Sequence, residues 1–567
     1  MSFSPIPHPS LDRRAFMAYF SQLGLASTLL PGVLWSQANA AERPEITVQM
    51  IATAGQVAGI EFTGTERETI ARGLNRLPDN FAQLRELPIT NAVPPAFQFN
   101  PIVPGMAFET ERRPFPALTG PPRDVPANIE DAAFWTVADL SRAMQARRIT
   151  SMALTTMYLE RLKRFDPILK CVVTLTGDRA MAQAKRADEE IAAGKYRSPL
   201  HGIPWGAKDL LAVKGYPTTW GAEPYRDQVI DTDAAVVQRL DEAGAVLVAK
   251  LSLGSLAQGD VWFGGRTNSP WNPKQGSSGS SAGPAAATAA GLVGFAIGSE
   301  TMGSIVSPST VNGVTGLRPT FGRVSRHGAM ALSWTMDKLG PMCRSAEDCA
   351  LVFNAIYGPD GMDTSVADHP FNWSPDIDIK KLRIGYVKDA MGPEGEDHSH
   401  LRRSVETMTK LGVTLVPIEL PDFPVNAMQF ILTVEAAAAF DDLTRSNRDD
   451  LLTEQQSTAW PNTFRRMHFV PAVEYIQANR ARTLLMHRMH EATKDIDVYM
   501  APSNHQLLMT NLTGHPQICL PSGFGDQGTP TSVSFVGRLY AEAELIAVAR
   551  AFQQATDYHL QYPNLKP

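Results

Sequence analysis

Two neighbouring stretches of the chain carry residues that could perform nucleophilic catalysis. The tract GSSGSSAGPAAATAAG at 276–291 contains only small residues and proline, and it leads into the apolar, strand-like run 292–297. A flexible linker would be flanked by polar sequence, so these small residues indicate backbones that approach closely at a site. The following turn, GSETMGS at 298–304, could present several N–H groups to one oxyanion. Ser304 is therefore a candidate nucleophile, with an ordinary polar turn as the alternative.

A serine hydroxyl needs a base to become nucleophilic. A lysine can serve if burial lowers its pKa. Lys208 lies in HGIPWGAKDLL at 201–211 with apolar neighbours on both sides, and Lys250 ends a strand predicted at 246–249. Spacing alone does not separate these two lysines. The histidines available as bases are His201, His327, His505 and His515.

Capping residues and hydrophobic periodicity predict the elements that position these groups. Helices are predicted over 136–149, from 150 through 165, over 179–193, 233–242 and 540–558, and strands over 172–175, 246–249 and 292–297. Strands that alternate with helices favour an α/β fold. We expect a large mixed, mostly parallel, twisted sheet covered by helices on both faces.

The first forty residues have the pattern of an export signal. Arg13 and Arg14 form a twin-arginine pair, an apolar run follows over 18–34, and Ala38 and Ala40 suit a signal peptidase. We expect a twin-arginine-type signal peptide over 1–40, with cleavage after Ala40. The protein would then be periplasmic or exported.

The remaining chain divides into an extension and a catalytic domain. In the extension, 41–130, Thr65 and Glu68 predict a capping box and a short helix, and the proline-dense part 87–126 should be irregular and wrap a larger body. The catalytic domain is expected over 131–567, with a more variable helical region at about 371–500.

Composition excludes several functions. A net charge of −6 without a long basic run argues against nucleic acid as a partner, and after the predicted signal no run reaches the roughly 18 apolar residues of a membrane span. The four cysteines show no zinc-like spacing, so we expect no metal and no cofactor. Cys343 and Cys349 could pair, but two buried thiols are the preferred interpretation.

Several motifs resemble those of the amidase signature family. The strongest lie at 279–320, at 201–211 and in TNSPWNP at 267–273, with weaker matches at 497–504, at 511–524 and in the closing helix. They occur in consistent order from about 134 to 560. The resemblance implies the amidase signature fold and hydrolysis of a carboxylic acid amide to acid and amine or ammonia. It also implies a small-molecule amide as substrate and is compatible with a homodimer.

The resemblance also implies roles for matching residues. Lys208 corresponds to the family's base, Ser280 to its relay serine, which follows a cis peptide bond, and Ser304 to its nucleophile. Ser281 is a supporting residue. The oxyanion hole would be formed by the N–H groups of Thr301, Met302, Gly303 and Ser304. Two positions depart from the family: Met302 replaces a usual glycine, which could narrow the acyl pocket, and Val306 replaces a frequent arginine, which disfavours a carboxylate-bearing substrate.

Three alternatives stay open on the sequence. Gly279–Gly283 also fits the nucleophile elbow of an α/β-hydrolase-type esterase, with Ser281 as nucleophile, although a turn-like stretch precedes it where a strand is needed. A glutamine-hydrolysing amidotransferase subunit shares the signature but works in the cytoplasm, which the export pattern opposes. The third is an inactive binding relative. The sequon at Asn511 is interpreted as a structural loop rather than a glycosylation site.

Overall fold

A computed structural model describes residues 45–75, 84, 86, 87, 89–391 and 399–566. It divides into two compact units, 1–89 and 90–567. The predicted signal peptide at 1–40 lies outside the described residues. In the first unit, helices α1 (Val48–Ala58) and α2 (Gly64–Leu74) pack against each other. The predicted capping box at Thr65 and Glu68 is wrong by two residues, because the Thr63 side chain and Glu66 form the reciprocal hydrogen bonds.

The second unit contains the sheet. Its strands are β1 (Val172–Leu175), β2 (Pro204–Lys208), β3 (Val246–Leu251), β4 (Val261–Trp262), β5 (Gly265–Arg266), β6 (Phe295–Glu300), β7 (Thr315–Arg318), β8 (Lys338–Cys343), β9 (Ile384–Val387), β10 (Leu415–Ile418), β11 (Val498–Pro502), β12 (Gln517–Phe524) and β13 (Pro530–Gly537). Strands β4 and β5 form a small hairpin, and the other eleven form one sheet in the order β1-β3-β2-β6-β8-β7-β12-β13-β11-β9-β10.

The expected mixed sheet is confirmed, but the expectation that its strands are mostly parallel is wrong. Among the described strands, only β2–β3, β2–β6, β9–β10 and β9–β11 pair in parallel. The six other neighbouring pairs of the large sheet are antiparallel. Short connections explain part of this difference, because the five residues between β12 and β13 are too few for the crossover that a parallel pair needs.

Helices pack around this sheet. In chain order they are α3 (Val137–Gln145), α4 (Ser151–Leu169), α5 (Gly177–Ala192), α6 (Ala235–Glu242), α7 (Ala282–Ala289), α8 (Val306–Asn312), α9 (Ala346–Ile356), α10 (Ser399–Lys410), α11 (Phe430–Ala439), α12 (Asp441–Arg445), α13 (Trp460–Met467), α14 (Ala472–Thr493), α15 (Leu507–Leu512) and α16 (Glu542–Thr556). In the part of the chain that the structure describes, no helix is long and apolar enough to cross a membrane.

Side-chain caps place several helices where the sequence predicts them. Thr136 and Thr150 cap α3 and α4 as expected, although α3 ends at Gln145 rather than at 149. The apolar stripe of α4 is buried, as its spacing predicts. The region 371–500 contains helices α10 to α14 and also contributes β9 and β10, which form one edge of the sheet.

The interior of the sheet positions the candidate site. Every residue of β2, β3 and β6 is buried, so these strands form a rigid centre. Because β2 and β6 are parallel neighbours, their carboxyl ends lie side by side at the same edge of the sheet. Lys208 is the last residue of β2, and Ser299 and Glu300 end β6. The fold therefore brings the lysine to the turn that carries Ser304.

Candidate active site

Lys208 contacts three serine hydroxyls. Its Nζ lies 2.8 Å from Ser280 Oγ, 2.9 Å from Ser281 Oγ and 2.9 Å from Ser299 Oγ. The side chain is fully buried, and no carboxylate lies within ion-pair distance of Nζ among the described residues. The predicted neighbours Lys208 and Ser280 are thus in direct hydrogen-bond contact.

The environment of Lys208 favours a neutral amine. Burial penalises the charged form and lowers the pKa of Lys208 well below its ordinary value. The carboxylates of Asp337 and Glu300 act in the opposite direction but do not offset burial. A neutral Lys208 has a free lone pair and can accept a proton from a neighbouring hydroxyl.

The other candidate lysine is occupied in an ion pair. Lys250 Nζ lies 2.6 Å from Asp209 Oδ1 and 2.6 Å from Thr218 Oγ1, and both Lys250 and Asp209 are fully buried. A buried cation held by a carboxylate is a structural element rather than a base. The structure therefore separates the two lysines that spacing alone could not.

The small residues around Ser280 are required by close backbone contacts. The Gly279–Ser280 peptide bond is cis, as the resemblance implied. A Cβ at Gly279 would lie 1.7 Å from the carbonyl oxygen of Gly259, and one at Gly283 would lie 2.5 Å from the Ser252 nitrogen. The tract 276–291 is therefore an ordered part of the site, and it includes the short helix α7.

Ser281 fastens the loop of Ser280 to β6 and to the turn of Ser304. Its Oγ accepts a hydrogen bond from Ser299 N at 3.1 Å, and its own N–H donates to Ser304 O at 3.1 Å. The Ser281 side chain is fully buried and already bonded to Lys208, and no strand precedes it directly. These contacts fit a supporting residue and argue against the nucleophile elbow.

The turn 301–304 joins β6 to α8 and leaves its backbone donors free. Within the part of the chain that the structure describes, the N–H groups of these four residues make no hydrogen bond to the protein. Gly303 has a φ of 82°, a left-handed conformation that lets the chain reverse within the turn. Ser304 is half-buried at the end of the turn. Free N–H groups beside an accessible hydroxyl are the arrangement of an oxyanion hole.

Glu300 fixes the backbone directly after this turn, a role that sequence reasoning missed. Its Oε2 accepts hydrogen bonds from the N–H groups of Ile305 and Val306 at 2.9 and 3.0 Å. Its Oε1 accepts from Arg318 Nη1 at 2.8 Å and from Asn511 Nδ2 at 2.9 Å. Burial alone would raise the pKa of Glu300, but Arg318 and Asn511 outweigh it and lower the pKa to about 2.

A second carboxylate, that of the half-buried Asp337, holds the other end of the turn. Asp337 Oδ1 accepts from Thr301 Oγ1 at 2.6 Å, and Oδ2 accepts from the N–H groups of Leu332 and Ser333 at 2.8 and 2.9 Å. The turn is thus fixed at Thr301 by Asp337 and just after Ser304 by Glu300. Acidic residues amid apolar runs at 295–300 and 336–343 were the available signal.

Several other predicted positions have structural roles. His201 Nε2 lies 3.2 Å from a Glu190 carboxylate oxygen, and His515 Nδ1 lies 2.8 Å from Thr513 Oγ1, so both rings are engaged away from the serines. Asn511 is fully buried, which agrees with a structural role, but it lies in helix α15 and the predicted loop is wrong. All four cysteines are free and buried, so Cys343 and Cys349 are not paired. In the described ranges, no three His, Cys, Asp or Glu side chains are grouped in a way that could hold a metal ion.

The two departures from the family pattern are apolar contacts. Val306 is fully buried at the start of α8, where the frequent arginine would stand. Met302 is half-buried and packs against the main apolar core. Met302 does not line the adjacent cavity, which has a volume of about 400 Å³ and is bounded by Ser299, Thr301 and Asp337 on one side.

Comparison with known proteins bears on the chain as a whole. The family model described as Amidase matches residues 153–510. The A subunit of the glutamyl-tRNA(Gln) amidotransferase from Methylococcus capsulatus is 33% identical over 482 residues, which cover 76% of this chain and 98% of that protein. The corresponding protein of Roseiflexus is 32% identical over 76% of this chain and 98% of its own length.

Solved structures give the same result. The native peptide amidase from Stenotrophomonas maltophilia has a TM-score of 0.69 and 29% identity, covering 77% of this chain and 99% of its own. An amidase family protein from Bacillus anthracis has a TM-score of 0.69 and 25% identity, covering 77% and 93% of the two chains. A bacterial aryl acylamidase, at 20% identity and a TM-score of 0.69, shares the fold.

Proposed function

The chain belongs to the amidase family, and from this premise we propose that it hydrolyses carboxylic acid amides through an acyl-enzyme on Ser304, with Ser280 as relay and Lys208 as base. The enzyme is an amidohydrolase. The observation that carries the residue assignment is the buried Lys208 amine, which has no carboxylate partner among the described residues and lies 2.8 Å from Ser280 Oγ.

The proposed reaction begins with two proton transfers. Neutral Lys208 accepts a proton from Ser280, which in turn takes the proton of Ser304 as the Ser304 oxygen attacks the amide carbonyl. The C–N bond breaks when the relay returns the proton to the leaving amine. Water activated by the same relay then attacks the acyl-enzyme, releases the acid and restores Ser304.

The free N–H groups of residues 301–304 support the charge-stabilising step. Donors fixed before the reaction stabilise the tetrahedral oxyanion, by about 3 kcal/mol for each good hydrogen bond. Glu300 and Asp337 hold the turn from both ends and would keep those donors aimed at one point. Because both carboxylates are engaged by protein donors, they would position the turn rather than take part in proton transfer.

Glutamine hydrolysis within an amidotransferase is a second candidate, which the names of the similar proteins favour. Glutamine carries a charged carboxylate, and a buried Val306 offers no cation to receive it. The export pattern at Arg13 and Arg14 also opposes a cytoplasmic assembly. We therefore rank free amide hydrolysis first. Glutamine belongs in the substrate panel as the direct test.

A fluorophosphonate probe tests the site. We expect it to label the wild-type protein on Ser304, and we expect Ser304→Ala to abolish both labelling and amide hydrolysis. Ser307→Ala, three residues later in α8, is the matched control and should keep both. Labelling that survives in Ser304→Ala but is lost in Ser281→Ala would contradict the assignment and favour the elbow.

We also propose that the protein is exported by the twin-arginine route. The pair Arg13–Arg14 and the Ala38-Asn39-Ala40 sequence support this proposal. A mature protein beginning at Ala41 in the periplasmic fraction is the expected result, and replacing both arginines by lysine should retain it in the cytoplasm. A homodimer is a further prediction from family likeness, which sedimentation of the purified protein would check.

A further inference from the structure

The segment 90–99, which we call the strap, forms one wall of the cavity of about 400 Å³. It precedes the family match, which begins at residue 153. The opposite wall comes from apolar side chains of the catalytic domain, including Leu210, Trp220 and Met330. A volume of 400 Å³ lies within the range of small-molecule sites. The cavity reaches Thr301, the first residue of the turn with the free N–H groups.

The strap is held in a defined position against the catalytic domain. Asn91 forms two hydrogen bonds with the backbone of Ala331, donating to its oxygen and accepting from its nitrogen, both at 2.8 Å. At the other end, the Phe99 ring packs on Phe321 at 5.1 Å and lies 3.5 Å from the guanidinium carbon of Arg482. Prolines 94 and 95 further restrict the backbone between these anchors. These contacts therefore fix the strap in place as one wall of the cavity.

The charged groups of the cavity are already engaged by the protein. The Arg326 guanidinium donates to Asp363 at 2.9 Å, to Trp334 O at 2.7 Å and to Ser365 Oγ at 2.8 Å. The Asp337 carboxylate is engaged by Thr301. A substrate carboxylate entering this space would lose its hydration, find no free lysine or arginine among the described residues that line the cavity, and face two carboxylates, which is costly.

We propose that the strap determines substrate specificity and adapts this enzyme to amides that carry an uncharged, predominantly apolar group about the size of one ring. This group would lie between residues 90–99 and the opposite wall of the cavity, which contains Leu210 and Met330. This inference rests on the proposed function and names the substrate class of the same site. The imidazole of His327 also lines the cavity, and among the described residues it has no hydrogen-bond partner. It can bond one neutral polar atom on that group.

A pair of strap variants tests the proposal. Ala92 is exposed and lines the cavity, whereas Ala96 is exposed on the same strap and does not line it. Ala92→Trp should therefore fill the cavity, and Ala96→Trp is the matched control. Because both positions are exposed, neither change should lower the thermal unfolding temperature. Fluorophosphonate labelling of Ser304 should be equal in both variants.

The assay compares two substrate series. In the acyl series, the p-nitroanilides of acetic, phenylacetic and succinic acid differ only in the acid. In the amine series, acetamide, N-benzylacetamide and N-acetylglycine differ only in the amine. The series that shows the effect identifies which side of the amide enters the cavity.

We expect wild type to prefer the phenyl-bearing member over the carboxylate-bearing member by at least 100-fold in kcat/KM in one series. Ala92→Trp should lower kcat/KM for the phenyl-bearing substrate at least tenfold, mainly through KM. Ala92→Trp should change kcat/KM less than threefold for the smallest member of the same series, which is the p-nitroanilide of acetic acid or acetamide. Ala96→Trp should match wild type for every substrate.

Two results would overturn this inference while leaving the proposed function intact: equal effects of Ala92→Trp and Ala96→Trp, or carboxylate-bearing substrates cleaved as well as phenyl-bearing ones. A wild-type protein that cleaves no amide and takes no fluorophosphonate label would overturn the proposed function, and this inference with it.

Discussion

Replacing Ser299 by aspartate tests directly whether Lys208 acts as a neutral base. The Ser299 Oγ lies 2.9 Å from Lys208 Nζ, so an aspartate there would place a carboxylate in contact with the amine. An adjacent negative charge favours the protonated amine and raises the pKa of Lys208. Since only the neutral amine can accept a proton, Ser299→Asp should inhibit the enzyme most strongly at low pH.

The size of the effect follows from the charge and the distance. With the ordinary pKa of 10.5, an amine at pH 7 is neutral in only about one molecule in 3,000. Burial lowers this pKa and so increases the reactive fraction. An opposite charge within about 4–6 Å shifts a pKa by about 1–3 units. The acid limb of the pH–rate profile should therefore move up by about 1–3 units, and rates on that limb should fall about 10- to 1,000-fold.

The measurement is kcat/KM for a neutral p-nitroanilide between pH 5 and 10. Wild type should lose activity as the pH falls through the pKa of Lys208, and Ser299→Asp should lose it at higher pH. Ser299→Asn has nearly the same shape without the charge and is the control. Superposable profiles for the two variants would refute the neutral-base assignment, provided that both unfold at similar temperatures.

Three further outcomes follow from the buried groups. Because the pKa of Glu300 falls from 4.5 to about 2, its ionised form should contribute about 3 kcal/mol to the free energy of unfolding above pH 4.5. Urea unfolding at pH 7 should show that Glu300→Gln is destabilised by about this amount. The difference from wild type should shrink as the pH falls from 4.5 to 2. Lys250→Met should lower the free energy of unfolding by about 3–5 kcal/mol, because it leaves the buried Asp209 carboxylate without its partner. Lys208→Met should keep the fold but lower kcat about 10²- to 10⁴-fold. Urea unfolding and steady-state kinetics of both variants check this contrast. The four buried cysteines should all resist a thiol reagent in the native protein and react once it is denatured; fewer than four thiols after denaturation would indicate a disulfide.

Local signals made much of the framework predictable. Threonine caps and apolar spacing gave the starts of α3 and α4, and a Gly-rich tract followed by a buried strand indicated the candidate site. The base could not be chosen from composition, because Lys208 and Lys250 both stand in apolar surroundings. The difference lies in the adjacent Asp209, whose side chain turns to Lys250 rather than to Lys208.

Long-range partners explain what sequence reasoning missed. Glu300 is held by Asn511, 211 residues later in the chain, and one sequence contains no signal for that contact. The same applies to Asp337, whose partner Thr301 lies 36 residues earlier. Strand direction was also mispredicted, because it depends on how each connection returns to the sheet, which apolar runs do not reveal.

The two ends of the sheet have a consequence for self-association. The outermost strands, β1 and β10, are only four residues long, and Pro417 in β10 has no N–H to offer to another strand. Short edge strands and proline discourage a second chain from adding itself to a sheet by backbone pairing. We therefore expect a dimer of this enzyme to join through side chains rather than by strand pairing, and the exposed residues Val473, Ile476 and Leu484 of α14 are the first place to introduce charges that would separate it.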